Sequence, residues 1–365
     1  QQSGATFASV MHAIMETRTF IGDTPRDDWG LWGLNVYANQ RHLLLGLSSL
    51  IVVLFLFLPL LLPSASDAKE TTEGAEASGA TEKTGDSGAD RTVKNAGRTG
   101  VSFRLRQRFS ERSQWLPQNR AEYLRLAAAL VFAILLPYFH GSALVALLLI
   151  LAGLMLFSRA WLAHISFAVV AIVSAFLQGQ FFRSGGLPLE PEFFFGFIAE
   201  ERTFRGVLAY LFEMSGLVLP LALLAAVIYP AARRLLFAFS LPLLFGFTFS
   251  LTPDVTVNHK YLIVTFALAG CLTAGLLADL WQRRGRLRPA GRVLAIFLLL
   301  VLSLTGWMEL IVFRNINQIR VRAALNSPLV AFVESRTPPQ SVFVTGPLSY
   351  HSLFFTGRQV YFGHA

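Results

Sequence analysis

Charged residues are scarce in this sequence. They make up 15% of its 365 residues, whereas an average soluble domain carries about 25%. In contrast, 54% of the residues are hydrophobic and the mean hydropathy is +0.53. This excludes an ordinary soluble globular protein and indicates a polytopic membrane protein. The apolar segments are too long and continuous for the alternating strands of a membrane barrel, so the spans are predicted to be helices.

Cysteine and acidic residues are also rare. The single cysteine, Cys271, lies inside an apolar run, which excludes an intramolecular disulfide and a cysteine-rich metal site. The net charge is +9, but the basic residues alternate between loops instead of forming one patch, so nucleic acid is not expected as a partner. The chain opens at Gln1 without the basic region, short apolar core and cleavage site of a signal peptide, as expected of a piece of a longer protein or of a processed one.

Long apolar runs predict eight membrane-spanning helices, since about 20 apolar residues cross a bilayer. These runs are residues 43–63, 121–139, 142–157, 161–182, 207–229, 235–251, 261–280 and 293–313. The predicted fold class is therefore an all-α polytopic membrane protein, with a transmembrane helical domain over residues 41–313. Residues 1–40 precede this domain and carry apolar residues at helical spacing, which predicts an extracytoplasmic amphipathic helix on the membrane surface.

Two stretches depart from this pattern. Residues 64–100 have almost no large apolar side chain, which predicts a disordered linker. The linker continues to residue 120 as an arginine-rich arm with interleaved aromatic residues, which is expected to lie on anionic lipid headgroups, with RNA as the weaker alternative. Residues 314–365 have the pattern of a soluble fold, with an amphipathic helix over 325–334 and a short buried strand over 341–345. They are expected to begin an extracytoplasmic α/β domain.

The basic residues predict the orientation. Residues 64–125 and alternate later loops hold 19 of the 31 Lys and Arg residues, and by the positive-inside rule that side is cytoplasmic. The polar clusters that resemble binding sites then all lie on the opposite, extracytoplasmic face. The expected location is a bacterial plasma (inner) membrane, as part of the cell envelope.

A short polar loop, residues 252–260, joins the sixth and seventh runs. It carries an acid, an amide, an imidazole and an ammonium group, namely Asp254, Asn258, His259 and Lys260. A connection this short has reason to carry such groups when something polar binds there. The alternative is that Lys260 and the tyrosine after it only mark the end of a helix in the headgroup region.

Four short stretches carry a family resemblance. They are Asn35-Val-Tyr-Ala-Asn-Gln-Arg-His42, Asp254-Val-Thr-Val-Asn-His-Lys-Tyr261, Thr337-Pro-Pro-Gln-Ser-Val-Phe-Val-Thr345 and Phe355-Thr-Gly-Arg-Gln-Val-Tyr361. Together they resemble the GT-C class of polytopic membrane glycosyltransferases, in particular bacterial members related to the protein-mannosyltransferase and aminoarabinose-transferase-like group. The resemblance implies a transferase that moves a sugar from a polyprenyl-phosphate-linked donor to an acceptor, not identified by the sequence, at the extracytoplasmic face.

The resemblance also implies roles for particular residues. The donor phosphate is expected at Lys260, His259 and Asn258, with Arg41 as a second cation; a simple headgroup anchor is the alternative for Arg41. In the class, the catalytic carboxylate lies in the first large outer loop after a first span, which predicts that it precedes Gln1. Within this chain the candidates are Asp27 and Asp28, which also suit a divalent cation or a turn.

Four further residues are predicted to line the substrate site, namely Asp254, His42, Glu213 and Glu192. Glu213 lies inside an apolar run, where ionisable groups usually face a cavity. His140 and His164 have no partners at metal-ligand spacing and are predicted to be structural. An alternative function is a lipid or anionic-solute transporter or flippase without covalent chemistry, which predicts internal repeats and broken helices. A structural assembly subunit is a third.

Overall fold

The computed structural model describes residues 6–20, 41–61, 115–181, 191–252, 254–282, 288–316, 327–344 and 352–361. The helices are α1 (Phe7–Glu16), α2 (Arg41–Phe57), α3 (Arg120–Phe139), α4 (Gly141–Met155), α5 (Trp161–Phe181), α6 (Phe204–Ser215), α7 (Val218–Ile228), α8 (Pro230–Thr248), α9 (His259–Gln282), α10 (Arg288–Ile316) and α11 (Pro328–Arg336). The strands are β1 (Glu192–Phe193), β2 (Phe249–Ser250), β3 (Val342–Val344) and β4 (Gln359–Tyr361). Residues 64–114 of the predicted linker and the pair Asp27 and Asp28 lie outside the described residues.

The predicted class of an all-α polytopic membrane protein is confirmed. Within the described ranges, six helices are long and apolar enough to cross a membrane, or seven if the bent pair α6 and α7 forms one span. The predicted count of eight is not confirmed. The run 142–157 folds as the 15-residue helix α4, and the run 207–229 folds as two helices that meet at 99°. Gly216 lies at this bend with a φ of +52°, which a residue with a side chain rarely adopts.

The chain forms two compact units, residues 20–309 and residues 1–19 with 310–365. In the larger unit, α3 packs against α2 and α5, while α8 packs against α4, α7 and α9. The centre of this bundle is filled by fully buried apolar side chains, among them Leu50, Leu147, Ile150, Phe167 and Leu262. Helix α10 is the exception, since only 6% of its apolar 18-residue stretch is buried.

Two glycines allow close helix contacts at one end of this bundle. A Cβ on Gly46 of α2 would lie 2.7 Å from the Cβ of His140, at the turn between α3 and α4. A Cβ on Gly246 of α8 would lie 3.3 Å from the Cβ of Tyr261 of α9. A hydrogen bond between Tyr261 of α9 and Ser142 of α4 joins these two contacts. One end of the bundle therefore holds the first turn of α2, the α3–α4 turn and the start of α9, and we call it the cluster end.

The opposite end of the bundle is closed by a buried ion pair. Glu122, in the first turn of α3, accepts hydrogen bonds from the Gln118 amide at 2.9 Å and from Asn119 Nδ2 at 2.7 Å. Arg159, which follows α4, lies 2.8 Å from the same carboxylate. The Arg159 amide also donates to the carbonyl of Leu60 after α2. Two predicted cytoplasmic connections, the linker and the one that holds Arg159, therefore meet at this end.

The smaller unit contains the tail. Its helix α11 begins at Ser327, whose hydroxyl accepts from the amide of Val330, and ends before the Thr337-Pro-Pro break. Strand β3 pairs in parallel with β4, and Arg358 donates to the carbonyls of Glu334 and Thr337 at 3.0 Å each. The predicted helix and strand are found, but the prediction that the strand is buried is wrong, since Val342 and Val344 of β3 are exposed. The assignment of both elements to an extracytoplasmic domain stays a prediction.

Candidate functional site

The polar loop between α8 and α9 is ordered by its own side chains. Asp254 Oδ1 accepts from the Thr256 amide at 2.9 Å and from the Thr256 hydroxyl at 2.6 Å, which caps the 3-10 turn Val255–Asn258. His259 Nδ1 lies 2.7 Å from the Thr256 carbonyl oxygen, so this nitrogen carries a proton and donates. The loop is therefore a rigid platform at the start of α9.

Asn258 holds this platform to the end of α8. Its side chain is buried, and its Nδ2 donates to the carbonyls of Gly246 at 3.0 Å and Phe249 at 2.6 Å. These are carbonyls at the C-terminal end of a helix, where intrahelical partners are missing. The amide nitrogen is thus committed to the fold, and Asn258 positions its neighbours.

The loop also pairs with the connection that precedes α6. Strands β1 and β2 run antiparallel, with Glu192 opposite Ser250, and the Phe194 amide donates to the Thr248 carbonyl. Glu192 and Asp254 both have exposed side chains here. Two predicted extracytoplasmic connections, 183–206 and 252–260, are therefore joined at the cluster end.

Two histidines from other helices meet at the same end. The ring of His42, in the first turn of α2, stacks on the ring of His140 with centroids 5.1 Å apart. His140 Nδ1 accepts from the amide of Ala143, so it caps α4 in the neutral form with its proton on Nε2. The close contact at Gly46, one turn after His42, sets this stacking.

Lys260 and His259 stand close to this pair. Burial first, followed by the positive charges of Lys260, His42 and His259, lowers the pKa of His140 to about 4. The next residue on α9, Tyr261, is hydrogen-bonded to Ser142 of α4 and fixes the two helices together. We call His42, His140, His259 and Lys260 the cationic cluster, after the ammonium group of Lys260; His140 is its neutral member.

The Lys260 side chain is half-buried, and no carboxylate or carbonyl pairs with its ammonium group within the described part of the chain. A half-buried ammonium beside imidazole N–H groups is suited to an anion. No group of three His, Cys, Asp or Glu side chains in the described ranges is placed to hold a metal ion. The chemistry of the cluster suits a phosphate or a carboxylate.

The structure thus brings together most of the predicted site. His42, His259 and Lys260 meet at the cluster end, with Asp254 and Glu192 on the joined connections beside it. Arg41 begins α2 one residue before His42, and its side chain is not described. Glu213 lies elsewhere, at a cavity beside the α6–α7 break.

Sequence reasoning missed His140, which was predicted to be only structural. It does cap a helix, but it also joins the cationic cluster. The signal was present in the sequence, because the short turn His140-Gly141 was predicted on the same face as His42 and the polar loop. What the sequence could not supply was the helix contact at Gly46 that stacks the two rings.

Comparison with known proteins adds no family assignment, since no family model, no curated protein and no solved structure matches this chain. The resemblance to membrane glycosyltransferases therefore stands on the four stretches of sequence described above.

Proposed function

We propose that the protein is a membrane glycosyltransferase that takes its sugar from a polyprenyl-phosphate-linked donor. The observation that carries the proposal is the cationic cluster, which places the half-buried Lys260 and three imidazoles at one end of a membrane bundle. A polyprenyl chain needs apolar helix surfaces and its phosphate needs cations at headgroup depth. The cluster meets both needs, because the exposed faces of the helices beside it are apolar.

The chemistry follows from the charge on the donor. An acceptor hydroxyl oxygen attacks the anomeric carbon, and the bond between that carbon and the phosphate oxygen breaks. The electron pair leaves with polyprenyl phosphate, whose charge becomes more negative by one unit, while the hydroxyl proton passes to a carboxylate. Lys260 and His259 would stabilise the charge that develops on the leaving phosphate.

The base in this proposal is a carboxylate at the cluster end. Asp254 and Glu192 are exposed there. Oδ1 of Asp254 accepts the hydrogen bonds that order the loop, which leaves Oδ2 to accept the proton. Asp27 and Asp28 stay candidates for the same role, as does a carboxylate upstream of Gln1.

The transfer reaction can be tested in reconstituted full-length protein. A panel of polyprenyl phosphate sugars is supplied with membrane acceptors, and released polyprenyl phosphate is measured by mass spectrometry. Lys260→Gln should abolish release that wild type shows, whereas Arg205→Gln, an exposed cation outside the cluster, should leave it unchanged. Unchanged turnover in Lys260→Gln would refute the role of the cluster.

One observation favours the second candidate, a transporter or flippase for an anionic lipid. Helices α6 and α7 are bent by 99° at Gly216 within an apolar segment, and broken helices of this kind form substrate sites in transporters. The two functions differ in product. A flippase would move an intact polyprenyl phosphate sugar across a vesicle bilayer, and mass spectrometry would detect no cleaved donor.

A further inference from the structure

A second site lies away from the cationic cluster, at the break between α6 and α7. A cavity of about 500 Å³ opens there. One wall is the break itself, residues 213–218, and the others are Phe266 and Ala267 of α9 and Val301, Leu302 and Thr305 of α10. Phe266 is seven residues beyond His259, so the cavity lies about 10 Å further along α9 than the cluster, at a rise of about 1.5 Å per residue.

The polar groups that line this cavity are one carboxylate, the hydroxyls of Ser215 and Thr305, and the backbone carbonyls at the end of a helix. Glu213 supplies a carboxylate, and no residue in the described ranges pairs with it. The last carbonyls of α6 also end here, and the C-terminal end of a helix carries partial negative charge. No Lys, Arg or His lines the cavity. The lining therefore favours a positive ligand group beside the exposed Glu213 carboxylate.

Ser215 gives an independent sign of a missing partner. Ser215 is 7% exposed, and its Oγ has no hydrogen-bond partner in the described structure. Other serines in these helices satisfy their hydroxyls on the carbonyl four residues earlier, as Ser48, Ser158 and Ser303 do at 2.8 Å. A buried hydroxyl without a partner is costly, so a ligand group that reaches the break would relieve it.

The remaining walls of the cavity indicate what the uncharged part of the ligand is. Most lining side chains are apolar, and Leu217, at the bend, is 41% exposed. A bare inorganic cation would fill only a small part of this volume. We propose that the cavity binds the protonated amino group of an aliphatic amphiphile, with Glu213 as its counter-charge and the hydrocarbon chain along α9 and α10. This site does not depend on the proposed transferase function.

The test uses full-length protein in nanodiscs of phosphatidylcholine, a lipid that carries no primary amine. The probes are a photoreactive twelve-carbon alkylamine and the matched alcohol, and labelled peptides are identified by mass spectrometry. In wild type, the amine should label residues 213–218 or the facing parts of α9 and α10 about tenfold more than the alcohol. An excess of ethylamine, which lacks the chain, should not compete.

Two variants separate the site from general effects. Glu213→Gln keeps the shape but removes the charge, so the preference for the amine should fall to about twofold or less. Glu201→Gln, an exposed carboxylate outside the cavity, should keep the full preference. Ala267→Phe fills the cavity and should reduce labelling by both probes. Equal labelling by amine and alcohol in wild type, or a preference that survives Glu213→Gln, would overturn the proposal.

Discussion

Replacing His140 by asparagine should make the stability of the protein less sensitive to acid. Asparagine retains the N-cap, because its side-chain oxygen can accept from the Ala143 amide as His140 Nδ1 does. It removes a group that the fold keeps neutral. In the folded protein the pKa of His140 is about 4, against an ordinary value of 6.5. The groups that face it are His42 on α2 and His259 and Lys260 on α9, all cationic or able to become so.

The sign follows from proton uptake. Above pH 6.5 His140 is neutral in both states and contributes no pH dependence. Between pH 6.5 and about 4 the unfolded chain takes up a proton that the folded chain does not, so the folded state loses stability as the pH falls. The loss at pH 5 is about 2 kcal/mol, at about 1.4 kcal/mol per pKa unit.

The assay is thermal unfolding of full-length protein in detergent, followed by tryptophan fluorescence at pH 7.5 and pH 5. Wild type should lose several degrees more than His140→Asn between the two pH values, since about 1 kcal/mol corresponds to about 2–4 °C in a domain of about 150–250 residues. The control His12→Asn changes a histidine with 72% side-chain exposure and should behave as wild type. Equal shifts for wild type and His140→Asn would refute the buried, neutral assignment.

Three further outcomes are expected. Gly46→Ala should destabilise the protein by about 1–3 kcal/mol in chemical denaturation, because the new Cβ would lie 2.7 Å from His140 Cβ. The matched control is Gly179→Ala, whose Cβ would meet nothing within 4 Å, and an equal effect of both variants would contradict the close contact. Arg159→Met should lower the free energy of unfolding by about 3–5 kcal/mol, because it leaves the Glu122 carboxylate buried without its counter-charge. Combining it with Glu122→Gln should recover part of that loss, and no recovery would contradict the pairing. In a Cys271→Ser background, a thiol reagent added outside intact cells should label cysteines placed at Asp254 and Ser341 but not at Ser87, and labelling at Ser87 would reverse the predicted orientation.

The membrane class could be predicted from the sequence because it depends on local composition. Within the described ranges, helices fill most of each predicted run, since an apolar backbone in lipid must satisfy its own hydrogen bonds. The break at Gly216 escaped prediction because a glycine inside an apolar run is compatible with a continuous helix. Only its φ of +52° in the folded chain shows the bend.

The candidate site was predicted less completely. The loop residues His259 and Lys260 were identified from their position between two spans, and His42 from its place at the start of another. Asn258 was expected to contact the ligand phosphate, but its amide nitrogen is used on the carbonyls of Gly246 and Phe249. That role depends on the approach of α8 to α9, and no local pattern in the sequence reports such a contact.

The measurement that tests the central claim most directly is the affinity of the cationic cluster for a lipid phosphate. Polyprenyl phosphate, which lacks the unidentified sugar, is titrated against full-length protein in nanodiscs of neutral lipid. The account predicts that Lys260→Gln weakens binding by about 10-fold to 150-fold, as expected for the loss of one charge-assisted contact. Arg205→Gln should bind as wild type does. Equal affinities for wild type and Lys260→Gln would show that Lys260 only anchors the helix in the headgroup region, and would contradict the site.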